Sequence, residues 1–471
     1  MDSKTFSDLI KTAIESENDK VVLDFSSVKD CVNSIFPLKE ISSLGSRLYK
    51  INCAGQRFSS LPIECNSREQ LSALSNLHTL FFLGNAFEEI PEELGALPSL
   101  FMLSFKSNKL RSIHEGSLSP SIGWLILTDN HIPRLPRSIG ALSHLRKLML
   151  SGNQLESLPD ELSLCSNLEL VRLSDNRLTS LPASFLSLPR LAWLALASNP
   201  LTATATEITL TQRIKNSSES AGSCLLMNKL DLKLGTLLGE GASGSVYNAS
   251  FATSLIGNTS SARKGDNIVA VKVFKPTSSD GKPEDEVNVA RCLPPHRNLI
   301  ESIGYYDEVS GGDDLQTPVR SLGLVMEKID GHLLGSTPSF SSITRDTFPD
   351  GIKFSLAECL RIAKGVSAAL IHMHKFGIAH GDVYAHNILI GGPSGVKLGD
   401  FGAAYVMPKE LKDRLTRIDW RGFGFLLDDL LTRCDEGLGS DSRKELEGVR
   451  TCCLRGDGED AVKMLKGVLN K

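Results

Sequence analysis

The sequence has little that would tie it to a membrane, a nucleic acid or an oxidising compartment. No apolar run in its 471 residues approaches the roughly 20 residues of a membrane-spanning helix. Basic residues are not in excess: 51 Lys and Arg face 55 Asp and Glu, for a net charge of −4. That balance gives no support to a nucleic-acid or membrane-surface partner. The ten cysteines are scattered, only Cys452 and Cys453 are adjacent, and no C-x-x-C pair occurs, so neither a zinc site nor a disulfide framework is favoured. The amino terminus, Met1-Asp2-Ser3-Lys4, leads into a polar stretch without the basic-then-apolar pattern of a secretory signal. Asn216, Asn248 and Asn258 each begin a glycosylation-type triplet, a pattern that arises often by chance. The chain is long for one hydrophobic core, so two or more domains are expected.

What is present first is a repeat. Leu77, Leu80, Phe82, Asn85 and Phe87 set the pattern L-x-x-L-x-L-x-x-N-x-L, repeated at Leu100, Leu103, Phe105, Asn108 and Leu110 and at Ile122, Leu125, Leu127, Asn130 and Ile132. Three more copies carry Asn153, Asn176 and Asn199, and a weaker one, with Leu48, Ile51, Cys53 and Phe58, has Gln56 at the asparagine position. Alternating leucines predict a short strand with its apolar side chains turned inward. The asparagine amide predicts hydrogen bonds to neighbouring turns, whose buried backbone groups need partners. Pro91, Pro136, Pro159 and Pro182 break the chain after each strand. The step of about 23 residues resembles that of leucine-rich repeats, and the first half is similar to intracellular leucine-rich-repeat proteins.

Between the leucines, residues point outward: Met102, Trp124, Lys147, Leu170 and Trp193 in one column, Phe81, Ile126, Met149 and Arg172 in the next. Large side chains on an outer face suggest a protein contact, so Phe81, Met102, Trp124, Ile126, Met149 and Trp193 are candidate partner-binding residues on the concave face. Coverage by the chain's own second half is the alternative. Residues 1–46 are expected to cap the open end of the array, 47–201 to hold the repeats, and 202–228, rich in Thr, Ser and Ala, to form a linker.

From Lys229 the pattern changes. Gly239-Glu240-Gly241-Ala242-Ser243-Gly244-Ser245-Val246 is followed by Val269-Ala270-Val271-Lys272, then His380-Gly381-Asp382 with Asn387, then Asp400-Phe401-Gly402. Glycines let a backbone approach phosphates and offer amide donors. A lone lysine in an apolar strand needs a charged partner. Several linked motifs in this order resemble the protein-kinase signature, over residues 229–471, with lobes 229–327 and 328–471. The resemblance implies ATP and Mg2+ as cofactors. Leu238, Gly239, Glu240, Gly241, Gly244, Val246, Ala270, Met326, Glu327 and Leu389 would then line the nucleotide, with backbone groups of Glu327 and Lys328 at the adenine edge. Lys272 would pair with Glu286, with Glu284 as fallback; Asp382 would accept or orient the acceptor hydroxyl; Asn387 and Asp400 would hold magnesium. Residues about 253–266, rich in Gly, Ser and Asn, read as a lengthened loop.

Three departures stand out. Gly381 replaces the arginine of the catalytic loop, Tyr384 stands where serine/threonine kinases carry lysine, and no Ala-Pro-Glu motif follows Gly402. Asp419-Trp420-Arg421-Gly422-Phe423-Gly424 already resembles the buried helix beyond that motif. The segment from Ala403 to Ile418 is therefore short, with Tyr405 and Thr416 its only hydroxyls, and the carboxyl-terminal lobe is expected to be reduced. His386 could supply some of the missing positive charge. The fold class expected is an α/β leucine-rich-repeat solenoid followed by an α+β bilobal protein-kinase-like domain. The function expected is a protein kinase, of the serine/threonine type, in the reducing, ATP-containing cytoplasm, with the repeats recruiting a protein partner or substrate. A nucleotide-binding scaffold without turnover and a small-molecule phosphotransferase, which shares the fold and lacks the peptide-gripping segment, are the competing readings.

Overall fold

The computed structural model describes residues 5–16, 18–28, 36–61, 67–216, 224–241, 243–251, 268–275, 281–310, 319–391, 395–435 and 441–469. The expected loop at 253–266 and Ala242 of the glycine motif lie outside the described residues. The chain forms two compact units, residues 1–191 and 192–471. Among the described residues no helix is long and apolar enough to cross a membrane.

In the first unit five successive repeats each contribute one three-residue strand to a parallel sheet. Thr79–Phe81 pairs with Met102–Ser104, that with Trp124–Ile126, then Lys147–Met149, then Leu170–Arg172. The central leucines Leu80, Leu103, Leu125 and Leu148 are buried, as the alternation requires. After the strand and turn, Pro91, Pro136 and Pro159 each precede a 3-10 turn, and Pro182 a short helix, Ala183–Leu186. Proline's fixed φ and missing donor suit the entry to a helical turn. At the amino-terminal end, Val21–Asp24 extends the sheet parallel to Leu48–Asn52, and the Phe6 ring of helix Phe6–Glu15 lies 4.5 Å from Phe25.

The asparagines form a continuous ladder. Asn130 Nδ2 donates to the carbonyl of Phe105 at 2.9 Å in the preceding coil, and its Oδ1 accepts the Leu110 amide at 2.9 Å. Asn85, Asn108, Asn153 and Asn176 make the same pair of bonds to their own neighbours. Gln56, in the weaker copy, donates to Phe25 at 2.7 Å. The residue before each ladder position has positive φ: Gly55, Gly84, Ser107, Asp129, Gly152, Asp175 and Ser198. Left-handed backbone is cheap for glycine and tolerated by small polar residues, so the turn itself dictates the residue class there.

The second unit begins with the strand Trp193–Ala195 and a helix, Pro200–Asn216. The helix occupies more than half of the expected linker. Pro200 sits at its first position, where a missing N–H costs nothing, and Thr202 is buried with its hydroxyl 3.2 Å from the Leu196 carbonyl. A Thr/Ala-rich helix shows weak apolar periodicity, which is why composition alone reads as linker. A six-stranded sheet follows, in the order Leu225–Leu226, Ser302–Ser310, Val319–Glu327, Ile268–Phe274, Gly244–Phe251, Leu232–Glu240. The first pair is parallel and the others antiparallel. Helix Pro283–Cys292 packs on this sheet. The helical part is built on Leu356–Lys375, started by a Ser355–Glu358 capping box, and on Lys412–Thr432, followed by Asp441–Arg455 and Gly458–Leu469. Its core includes Leu370, Met373, Ile388, Phe401, Phe423 and Leu427.

Asn130→Ala should lower stability by about 1–3 kcal/mol, because it strands the buried Leu110 amide, whereas the Phe105 carbonyl keeps its bond from Asn108 at 3.0 Å. Urea unfolding followed by circular dichroism, beside Asn130→Asp, measures it.

Candidate active site

The strand pairing places the lysine. Lys272 lies opposite Val246 on one neighbour and Leu324 on the other, in the middle of the sheet, where the residue is 6% exposed. A charge so buried requires compensation, and Glu286 supplies it: its two oxygens lie 2.9 and 2.7 Å from Lys272 Nζ. Burial lowers the lysine pKa, but the charges of Asp400 and Glu286 outweigh it and the net shift is upward. Glu284 instead pairs with Arg320, which separates the fallback from the residue that meets the lysine. Asp400 Oδ1 stands 3.3 Å from the same ammonium. The Lys272 charge holds the Asp400 carboxyl down to about 2, although this side chain is half exposed, at 51%. Asp400 adopts φ 54°, a left-handed backbone that costs energy in a non-glycine residue.

Asp382 and Asn387 come together on the turn after Ile378–Ala379. Asn387 Nδ2 donates to the Asp382 carbonyl at 2.9 Å and to its carboxylate at 3.0 Å. The loop hangs from one buried carboxylate: Asp419 Oδ2 accepts the His380 amide and Oδ1 the Gly381 amide, each at 2.8 Å. His374 Nε2 lies 2.8 Å from Asp419 Oδ2. Burial raises the Asp419 pKa, but these donors prevail and the net shift is downward. His386 is gripped by Asp346, whose oxygens lie 2.7 Å from His386 Nδ1 and 3.0 Å from its amide. Burial lowers the imidazole pKa, and the Asp346 contact more than offsets it, so the ring is shifted upward. Asp346, Asp419 and His374 are site residues that motif spacing missed. For His374 the available signal was a histidine in the largely apolar run Ala369-Leu370-Ile371-His372-Met373; Asp346, among Thr344, Arg345 and Thr347, carried none.

The glycines differ in what they accommodate. A Cβ on Gly244 would fall 2.5 Å from the Val273 carbonyl, so packing alone requires glycine there. A Cβ on Gly239 would meet nothing within 4 Å, and one on Gly241 only the Gly244 carbonyl at 4.0 Å. Packing does not require glycine at these two, where the backbone is left open to its surroundings. Leu238 is 50% exposed, and Val246, Met326 and Leu389 are half-buried, with Ala270 buried beside Met326 in the ladder. Glu240 binds Lys275 at 2.8 Å. The Glu327 amide already donates to the Glu301 carbonyl at 2.9 Å, and its carboxylate pairs with Lys397. That N–H is therefore engaged within the domain, and of the Glu327 backbone groups expected at an adenine edge the carbonyl is the one in question.

The segment after Gly402 is as short as its sequence suggests. Tyr405–Val406 pairs with Ile378–Ala379, and helix Lys412–Thr432 then begins. Tyr405 is 2% exposed and burial raises its pKa well above the usual phenol value. Thr416 is on the helix, its hydroxyl donating to Asp413. Among the outward-facing candidates, Phe81, Trp124, Ile126 and Met149 are partly exposed, with Lys147 Nζ 4.2 Å above the Trp124 ring. Met102 and Trp193 are each 1% exposed, so neither presents a surface. Trp193 is covered by the chain's own Tyr384 and Phe425.

Residues 232–421 match the family described as protein kinase domain, and residues 143–201 match that described as leucine rich repeat. The chain joins leucine-rich repeats to a protein kinase domain. It is 28% identical over 200 residues to an L-type lectin-domain containing receptor kinase of Arabidopsis thaliana, covering 41% of this chain and 26% of that one. It is 32% identical to a probable serine/threonine-protein kinase of the same plant, covering 40% of this chain and 42% of that protein. The chain thus spans less than half the length of these relatives. Among solved structures, a leucine-rich-repeat protein of Leptospira interrogans aligns at a TM-score of 0.33 and 33% identity, covering 37% of this chain and 43% of that one.

Two outcomes follow from the electrostatics. Glu286→Ala should destabilise the second unit by about 3–5 kcal/mol, since it leaves a buried ammonium without its main partner; differential scanning calorimetry of the full chain checks this. The His386 ring should titrate above the ordinary histidine value of 6.5, and Asp346→Asn should bring it below that value, as followed by proton NMR. Because the folded pKa is raised, this contact's stabilisation is complete below about 6.5 and is lost as pH rises through the folded value.

Proposed function

We propose that the kinase domain transfers the γ-phosphate of ATP to a protein hydroxyl, of serine or threonine. One observation carries this reading: Lys272, Glu286 and Asp400 are joined in one ion-paired group, Asp382 and Asn387 in a second, and the amide of Gly399, next to Asp400, donates to the Asn387 carbonyl at 2.9 Å. In the proposed scheme Lys272, fixed by Glu286, neutralises phosphate charge. Gly239 and Gly241 let backbone amides close over the phosphates. Asp382, held by Asn387, orients the acceptor hydroxyl and takes its proton as the bond to phosphorus forms. Leu238, Val246, Ala270, Met326 and Leu389 give the adenine an apolar slot.

The residues also suit magnesium. Asn387 commits its nitrogen to Asp382, which leaves its amide oxygen, with the Asp400 carboxylate, as hard donors of the kind this ion takes. When bound, the ion supplies charge neutralisation between phosphate oxygens. The partly exposed Phe81, Trp124, Ile126 and Met149 are the proposed surface for a protein partner, and the cytoplasm the proposed location. A small-molecule acceptor is the second reading, favoured by the brevity of the segment from Ala403 to Leu411 and by the buried Tyr384.

Labelled ATP with magnesium and a general protein substrate should yield labelled protein. Asp382→Asn and Asp400→Asn should each lower the rate by about 10²–10⁴ while the fold, by circular dichroism, is kept. Label confined to sugars or amino alcohols would shift the reading to the small-molecule enzyme. Nucleotide binding with no transfer to any acceptor would replace it with a scaffold.

A further inference from the structure

The segment Ala192–Asn199 follows the repeat pattern as far as its ladder asparagine, yet it belongs to the second unit. Its contacts are with the catalytic loop. The Trp193 indole Nε1 donates to the Val383 carbonyl at 3.1 Å, on the residue next to Asp382. The ring stacks on Tyr384 at 4.4 Å and 7°, and on Phe425 at 5.2 Å and 24°. Asp419 fixes His380 and Gly381 from within the domain, so the loop carrying Asp382 is held on both flanks.

The fit is close enough to dictate sequence. Gly381 has φ +73°, and a Cβ there would stand 2.6 Å from the Leu194 carbonyl and 2.7 Å from that of Ala403. An arginine at this position is excluded by that approach. A Cβ on Gly422 would fall 3.1 Å from the Ala192 carbonyl and 3.3 Å from the Trp193 indole nitrogen. The same coil reaches the other half of the site. Ser198 Oγ lies 2.8 Å from each carboxylate oxygen of Asp285, in the first turn of the helix that presents Glu286 to Lys272.

We infer that Trp193 and Ser198 are positioning residues: the last repeat coil holds the Asp382 loop and the Glu286 helix in register, standing in for an activation segment that is too short to do so. Two departures in the sequence then have one cause. Gly381 makes room for Leu194, and Tyr384 supplies the stacking partner for Trp193. Tyr405, one of the two hydroxyls in that segment, is buried and offers no switch.

This inference rests on the proposed phosphoryl transfer, and hydrogen exchange tests it separately. In the full chain, Trp193→Phe keeps a stacking ring and loses only the indole donor. Ser198→Gly loses the hydroxyl and keeps a residue at ease with positive φ, and Ser198→Asn restores a donor. Expected for Trp193→Phe is amide exchange about tenfold faster in residues 380–387, and kcat about tenfold lower, with the KM for ATP unchanged. Expected for Ser198→Gly is faster exchange in residues 283–292 and a similar fall in kcat, both reversed in Ser198→Asn. Exchange unchanged in both segments, or a uniform rise across the domain, overturns the inference. If the wild-type chain transfers no phosphate, the proposed function fails, while localised exchange changes still support the brace and their absence still overturns it.

Discussion

The kinase-like half of the molecule depends on a carboxylate that water scarcely reaches. Asp419 is 1% exposed, and a charge in that position is tolerable only when donors surround it. Its donors are two consecutive backbone amides and one imidazole. Because both amides belong to the turn before Asp382, satisfying the buried charge and aiming that turn are the same act. The geometry of that turn thus follows from the desolvation penalty on one carboxylate. Lys272 repeats the logic on the sheet side, where one buried ammonium draws Glu286 and Asp400 to it.

Much of this was legible in the sequence, and the reasons for the gaps are physical. The repeat strands were readable because alternation of two, nested in a step of about 23 residues, is the mark of stacked coils. The asparagine ladder was readable because a buried turn must find donors and acceptors. Even Gln56 could be placed. The linked motifs from Gly239 to Asp400 were readable by their order and spacing, as the match to the protein kinase domain over residues 232–421 bears out. Illegible were the interactions that join segments far apart in sequence: Asp419 with His380, Asp346 with His386, Glu327 with Lys397. Helix Pro200–Asn216 was hidden because Thr and Ala carry almost no periodic signal. Met102 and Trp193 were assigned outward by alternation, which reports the face of a strand and says nothing of what covers that face.

The demand for glycine at Gly381 and Gly244 is opposite to that at Gly239 and Gly241. The first pair is forced by neighbours already present, a carbonyl within 2.5 to 2.7 Å of the missing Cβ. The second pair faces open space. Motif spacing names Gly239, Gly241 and Gly244 alike and flags Gly381 as a departure, and the packing around them redraws that division into glycines that serve close contact and glycines beside open space.

The stack on Trp193 has a consequence for synthesis. The indole and its acceptor at Val383 are 190 residues apart, and translation runs at about 5–20 residues per second. The nascent chain therefore carries the apolar face of Ala192–Ala197 without its cover for on the order of 10–40 seconds. Through that interval the repeats can fold while their last coil stays unsheltered, which makes it a surface for chaperones and for mispairing with other nascent copies.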